Sequence, residues 1–109
     1  MNWNIITTNE ELAEIRAKSF TTPQLIFKHS TRCGVSQVVK TRLEAGSPPP
    51  AVDFHFLDLI RYRSLSNKIA EDLDVRHESP QVLLVKDGRC IFDESHLSIR
   101  MQDIVKEVA

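Results

Sequence analysis

The sequence predicts an α/β protein: a three-layer fold with a mixed, four- or five-stranded sheet and helices on both faces. Three observations predict it. From Gln24 onward, apolar runs and helix-spaced apolar residues alternate as strand, helix, strand, helix, strand, strand, helix. Val82-Leu83-Leu84-Val85 is continuously apolar, as a strand covered on both faces must be. Asp87-Gly88 is the dipeptide of a tight hairpin turn. Strands joined through helices lie parallel, and the hairpin adds antiparallel partners. Layers of helix on each face of such a sheet then bury both apolar surfaces.

Each element has its own local signal. Residues 3–6 read as a short strand. Thr8-Asn9-Glu10-Glu11 fits a capping box and opens a helix, with Leu12, Ala13 and Ile15 on its apolar side. That helix fades near Ser19, because Thr22 precedes Pro23 and is pushed towards extended geometry. Gln24 to His29 is a strand around Leu25-Ile26-Phe27. Val35, Val38, Val39 and Leu43 share one helical face, and that helix runs to about Ala45 and stops at Gly46. Ser47-Pro48-Pro49-Pro50 is a stiff connector. Residues 52–58 form a strand with Val52, Phe54 and Phe56 on one face. Leu65, Ile69 and Leu73 mark a helix with a charged outer face. Residues 75–80 are a loop, and residues 89–92 return from the hairpin. The chain turns at 93–98 into a last helix with Met101, Ile104, Val105 and Val108 facing inward.

Length and composition narrow the function classes. The 109 residues suit a single domain, 1–109, with one core, and 41% hydrophobic with 27% charged residues is ordinary for a soluble globular protein. The net charge is −1 and the 14 basic residues are scattered, so no nucleic acid is expected as partner. No apolar run reaches membrane-spanning length, so no membrane partner is expected either. The N-terminal Met1-Asn2-Trp3-Asn4 lacks the basic and apolar regions of a secretory signal, and a cytoplasmic location is expected. Two cysteines far apart in such a chain are expected to be reduced. No metal-ligand spacing involves them or the four histidines, so no metal is expected.

The chemistry concentrates in His29-Ser30-Thr31-Arg32-Cys33-Gly34-Val35-Ser36. Cys33 falls where a strand becomes a helix, and the free N–H groups and dipole of a helix N-terminus favour thiolate over thiol. Arg32 adds a positive charge. The opposing reading, a small buried hydrophobe, sits poorly with flanking Thr, Arg, Gly and Ser. Thiol–disulfide exchange needs such a thiolate to attack a disulfide sulfur. A dithiol enzyme carries its resolving cysteine three residues on, where this chain has Ser36, so the chemistry is monothiol and an external thiol completes it. Ser36 has two readings: a donor to the thiolate, or a helix residue satisfying a backbone N–H. Cys90 begins the return strand of the hairpin, roughly 10 Å or more from Cys33 at ~3.3 Å per residue, and is read as a packing residue. The turn at 93–98 comes back to the Cys33 end. It places Ser95, His96 and Ser98 at the N-terminus of the last helix, where an anion is favoured. There His96 is either a ligand contact or a helix-capping or solvated residue. His77 is a weaker candidate for the same site.

The element order, a reactive cysteine after the first core strand and a proline before the third are those of the thioredoxin-like core. Within it the chain resembles one family, the monothiol bacilliredoxins. The resemblance rests on Lys28-His29-Ser30-Thr31-Arg32-Cys33 with Ser36, on Val75-Arg76-His77-Glu78-Ser79-Pro80-Gln81, and on Asp87-Gly88 followed by Ser95-His96. Two positions depart from the family's habit: Gly34 follows the cysteine where Pro is usual, and Leu97-Ser98 follow the late His where Gly-Asp is usual. The resemblance implies a thiol–disulfide oxidoreductase that removes bacillithiol from mixed disulfides on cytoplasmic proteins. It implies a cis bond at Ser79-Pro80 facing Cys33, with Arg32, Gly34, Ser79, Pro80, His77 and His96 around the substrate. Bacillithiol is then a co-substrate, its malate carboxylates suiting the His96 turn, and no bound cofactor is implied. Two other classes compete. One is a monothiol glutaredoxin using glutathione or an iron–sulfur cluster, since Cys33-Gly34-Val35-Ser36 resembles that family's Cys-Gly-Phe-Ser. The other is a non-catalytic thioredoxin-like binding module with an inert Cys33.

Overall fold

The structure, a computed structural model, describes residues 1–109. Its elements are β1 (Asn4–Ile5), α1 (Asn9–Lys18), β2 (Gln24–His29), α2 (Gly34–Ala45), β3 (Asp53–Asp58), α3 (Arg63–Leu73), β4 (Gln81–Lys86), β5 (Arg89–Ser95), a 3-10 turn (His96–Ser98) and α4 (Met101–Val108). One five-stranded sheet has the order β1-β3-β2-β4-β5. β3 is parallel to β1 and β2, whereas β4 is antiparallel to both β2 and β5.

β2 is the centre of the molecule, and its alternation divides the core. Leu25 and Phe27 pack with Val39 and Leu43 of α2 and Ile104 of α4. Ile26 faces the other way, with Leu12 and Ile15 of α1 and Leu65 and Ile69 of α3. Leu25, Ile26 and Phe27 have no exposed surface, and burying each such side chain stabilises the fold by about 1.5–3 kcal/mol. No helix is long and apolar enough to cross a membrane.

The local signals act as chemistry dictates. Thr8 and Glu11 exchange both bonds of the capping box. At the hairpin, Asp87 (φ 54°) and Gly88 (φ 81°) are both left-handed, the geometry whose twist matches the flanking strands. That turn is fastened to the end of α1, since Ser19 accepts the Asp87 N–H at its carbonyl and the Gly88 N–H at its hydroxyl.

Three expectations need correction. The inward stripe of α2 is Ser36, Val39 and Leu43, while Val35 and Val38 are exposed. Ser36 takes the inward place because buried polar groups there need its hydroxyl. Val105 is likewise exposed, and the inward side of α4 is Met101 and Ile104. Finally, Ser95, His96 and Ser98 are not at the N-terminus of the last helix. They form or precede a separate 3-10 turn, Ile99 breaks the helix with an extended backbone while burying its side chain, and Arg100 is the N-cap of α4. Gly46 ends α2 in extended rather than left-handed geometry (φ −81°). A side chain there would meet Met101, whose Cβ lies 2.9 Å from the place an added Cβ would take.

Candidate active site

β2 and β3 run parallel and β4 runs back against β2, with Lys28 opposite Gln81. The loop after β2 and the loop before β4 therefore emerge at one end of the sheet, carrying Cys33 and Ser79–Pro80. The 3-10 turn after β5 closes the same end, because the His96 N–H donates to the Pro80 carbonyl at 2.9 Å. The Ser79–Pro80 peptide bond is cis.

Cys33 is the N-cap of α2 and is partly exposed, with an extended backbone (φ −114°, ψ 118°). Its N–H donates to the Ser30 carbonyl and its own carbonyl accepts the Gln37 N–H, which fixes the turn. The first-turn N–H groups of α2 are thus the groups nearest the sulfur in sequence, and no side chain caps them. Gly34 follows as the first helical residue, and a Cβ there would meet nothing within 4 Å. Arg32 is exposed and forms no ion pair, and its backbone N–H donates to Ser30 Oγ at 3.4 Å. Beside Cys33, an open groove of about 400 Å³ runs along α2 between Gly34 and Arg42. Arg42 ties α2 to the late turn by donating to the Leu97 carbonyl.

Ser36 points into the protein rather than at the sulfur. Its Oγ, wholly buried, accepts the Ser30 N–H at 3.1 Å and lies 2.7 Å from His29 Nδ1. Burial, and after it the Lys40 charge, hold His29 below the usual imidazole pKa, so the ring that shares a proton with the Ser36 hydroxyl at Nδ1 is neutral. Sequence reasoning left His29 as the end of a strand; here it is half of a buried pair that shapes the cysteine loop.

The other face of β2 holds a residue that hydropathy alone passed over. Lys28 is fully buried, and its Nζ donates to the Ser66 carbonyl (3.0 Å) and to His77 Nδ1 (3.2 Å). No carboxylate pairs with it, and burial lowers its pKa to about 8. The signal was present in the sequence as a lysine at strand period from Ile26 in a central, otherwise apolar strand.

The remaining candidates divide. His77 joins Lys28 at the inner side of the loop before β4, whereas Glu78 reaches outward to His96 Nε2 at 3.1 Å. His96, in left-handed geometry (φ 58°), is exposed. Ser79 Oγ and Gln81 Oε1, on either side of Pro80, are buried with no partner in the protein. His55 lies elsewhere: its Nε2 donates to Gln24 Oε1 at the opposite end of β2. Cys90 is remote too. It sits opposite Val85, which sits opposite Gln24, so roughly 16 Å of strand separates it from the Cys33 end. Burial raises its thiol to about 11, and Sγ bonds the Phe92 carbonyl. Both cysteines are free.

Comparison with solved structures supports the architecture independently. The chain is similar to a protein of thioredoxin fold (20% identity, TM-score 0.84, 96% of this chain and 92% of that one). It is similar also to Fasciola hepatica thioredoxin (15%, 0.75, 96% and 95%) and to Malassezia sympodialis thioredoxin (16%, 0.73, 98% and 88%). At these identities the likeness speaks for fold alone. The sequence itself matches the monothiol bacilliredoxin BrxC family over residues 4–104. With one cysteine at the sheet end where the loops converge and a serine where a second would stand, the chain belongs to the monothiol bacilliredoxin family, thiol oxidoreductases on the thioredoxin fold.

Proposed function

We propose that the protein removes bacillithiol from mixed disulfides on cytoplasmic proteins, with Cys33 as the sole catalytic thiol. The Cys33 thiolate attacks the bacillithiol sulfur, the mixed disulfide breaks, and the client leaves as a thiolate with the bonding electron pair. Bacillithiol is then held on Cys33 until an external thiol displaces it. The observation that carries this reading is the fate of the second position. Ser36 has its hydroxyl committed to Ser30 and His29, and Cys90 lies far outside disulfide reach, so no internal thiol can resolve the adduct.

The surroundings suit a protein client. Val38 exposes apolar surface in the groove along α2, and Val35 of the same helix and Leu97 of the late turn are exposed as well. The Ser79 backbone N–H and C=O offer an edge with which an extended segment can pair.

The test uses a client protein modified with bacillithiol on one cysteine. Intact mass spectrometry of the reduced enzyme after mixing should show one bacillithiol on Cys33 and an unmodified client, and Cys33→Ser should show neither. A glutathionylated copy of the client, run in parallel, decides between the two thiols. Equal rates with both, or an adduct that Cys90 resolves, would sink the proposal.

A further inference from the structure

The loop that carries Ser79–Pro80 is held from inside by a group no sequence argument singled out. Lys28 donates from β2 to His77 Nδ1, and an ammonium can only donate. His77 Nδ1 must therefore be an acceptor, and the ring's proton resides on Nε2. Ser66 Oγ, 3.3 Å from the same nitrogen, is a second donor to it. His77 is partly exposed, and its Nδ1 edge is turned to Lys28 and Ser66. Nε2 bonds nothing in the protein.

We infer that Lys28 is a positioning residue of the active site: it locks His77 as the Nε2–H tautomer, so that the ring presents a donor to the thiolate displaced from the client. In that step Cys33 S⁻ forms the new S–S bond, the client's S–S bond breaks, and the electron pair leaves on the client sulfur. His77 Nε2–H hydrogen-bonds that sulfur, and no proton changes hands. The chemistry rests on the exchange reaction proposed above, but the tautomer does not.

Geometry explains why the lysine is kept in a costly place. Lys28 lies on the α3 face of β2, and α3 supplies its other acceptor, the Ser66 carbonyl. One side chain thus joins the central strand, a helix and the loop. Gln81, opposite Lys28 in the β2–β4 ladder, supports the same loop by donating to the Arg76 carbonyl at 2.9 Å. On the outer side Glu78 and His96 close a second contact. His77 stays neutral because burial, then the Lys28 and Arg63 charges, disfavour its protonation, against a smaller opposite effect of Glu78. A second proton would set an Nδ1–H against the Lys28 N–H.

The direct experiment is an NMR measurement of the His77 ring nitrogens in the wild-type protein. Long-range 15N–1H correlations at pH 7.5 should show Nδ1 unprotonated and Nε2 protonated, with a titration midpoint below that of a free imidazole. Nδ1–H as the major tautomer would overturn the inference whatever the protein's substrate. The companion variant is Lys28→Met, which keeps the apolar stem and removes the donor. It should mix the two tautomers, raise the His77 midpoint and slow exchange with a mixed disulfide about tenfold. Alkylation of Cys33 by neutral iodoacetamide should change less than twofold. An unchanged exchange rate with an unchanged His77 midpoint in this variant would also defeat the inference. Absence of exchange in the wild type, with the expected tautomer, would instead count against the proposed reaction.

Discussion

Replacing Ser36 by Ala separates the two roles a serine can have at this position. The substitution removes an oxygen that accepts the Ser30 N–H at 3.1 Å and meets His29 Nδ1 at 2.7 Å, in a place with no exposed surface. Each buried group left without a partner costs about 1–3 kcal/mol. The better helix propensity of Ala returns roughly 0.5 kcal/mol. For the two groups together the net expectation is a loss of about 1.5–5.5 kcal/mol, a fall in Tm of roughly 6 °C or more at ~4–8 °C per kcal/mol for a domain of this size. Urea unfolding followed by circular dichroism measures it. Thr41→Ala is the control: an exposed hydroxyl bonded only to the Gln37 carbonyl of its own helix, worth about 0.5 kcal/mol or less. The iodoacetamide rate at Cys33 should change less than threefold, because Ser36 does not bond the sulfur. A stability loss no larger than the control's, or a collapse of Cys33 reactivity in a protein that stays folded, would refute this account.

Other consequences are quickly stated. His29 and His55 are buried neutral, with pKa values lowered chiefly by burial, so below about pH 6.5 the unfolded chain takes up protons that the folded chain does not. Stability should be intact above that pH and fall on acidification, by up to ~2.7 kcal/mol per pH unit for these two rings, with His77, which burial also holds low, adding in the same direction, as urea midpoints between pH 7 and 5 will show. Lys28 binds its proton less tightly folded than unfolded, so stability should rise as pH passes from about 8 towards the ordinary lysine value. Lys28→Met should abolish that rise, and at pH 7 it trades the desolvation of the ammonium against the Ser66 carbonyl and His77 Nδ1 acceptors it leaves unpaired. Gly34→Pro places a proline at the first helical position after an extended residue, into open space, and should stabilise by about 0.4–1 kcal/mol in thermal melts. With its thiol raised to about 11, Cys90 should resist iodoacetamide at pH 7.5, so peptide mapping should find one label on native protein and two in denaturant.

Much of the architecture was legible because its signals are local. The capping box at Thr8, the Asp87-Gly88 turn and the covered strand of β4 each depend on a few adjacent residues, and each formed as its chemistry requires. The errors arose where tertiary demands override the apolar pattern. Val35 and Val38 fit a helical stripe as well as Val39 and Leu43 do, but a buried N–H and an imidazole claim the inward position for Ser36. The turn at His96–Ser98 looked like the start of α4 because nothing local marks Ile99 as a core residue in extended geometry.

The place of Cys33 at the strand–helix junction was legible and the residues that support its loop were not, for a physical reason. Hydropathy counts a lysine or histidine in a strand as a surface residue, and only the fold reveals that β2 ends on two polar residues facing opposite layers. His29 turns towards α2 and holds the loop leading to Cys33 through Ser36. Lys28 turns towards α3 and holds the loop leading to Pro80 through His77. An apolar pair at these positions would make a better core, since burying Lys28 carries a desolvation cost that apolar packing avoids. What such a pair would lack is direction, because dispersion contacts do not fix the rotation of a loop as a donor and acceptor at about 3 Å do. Strand alternation, which elsewhere divides the core between two layers, here gives each of the two loops at the candidate site its own internal hydrogen bond.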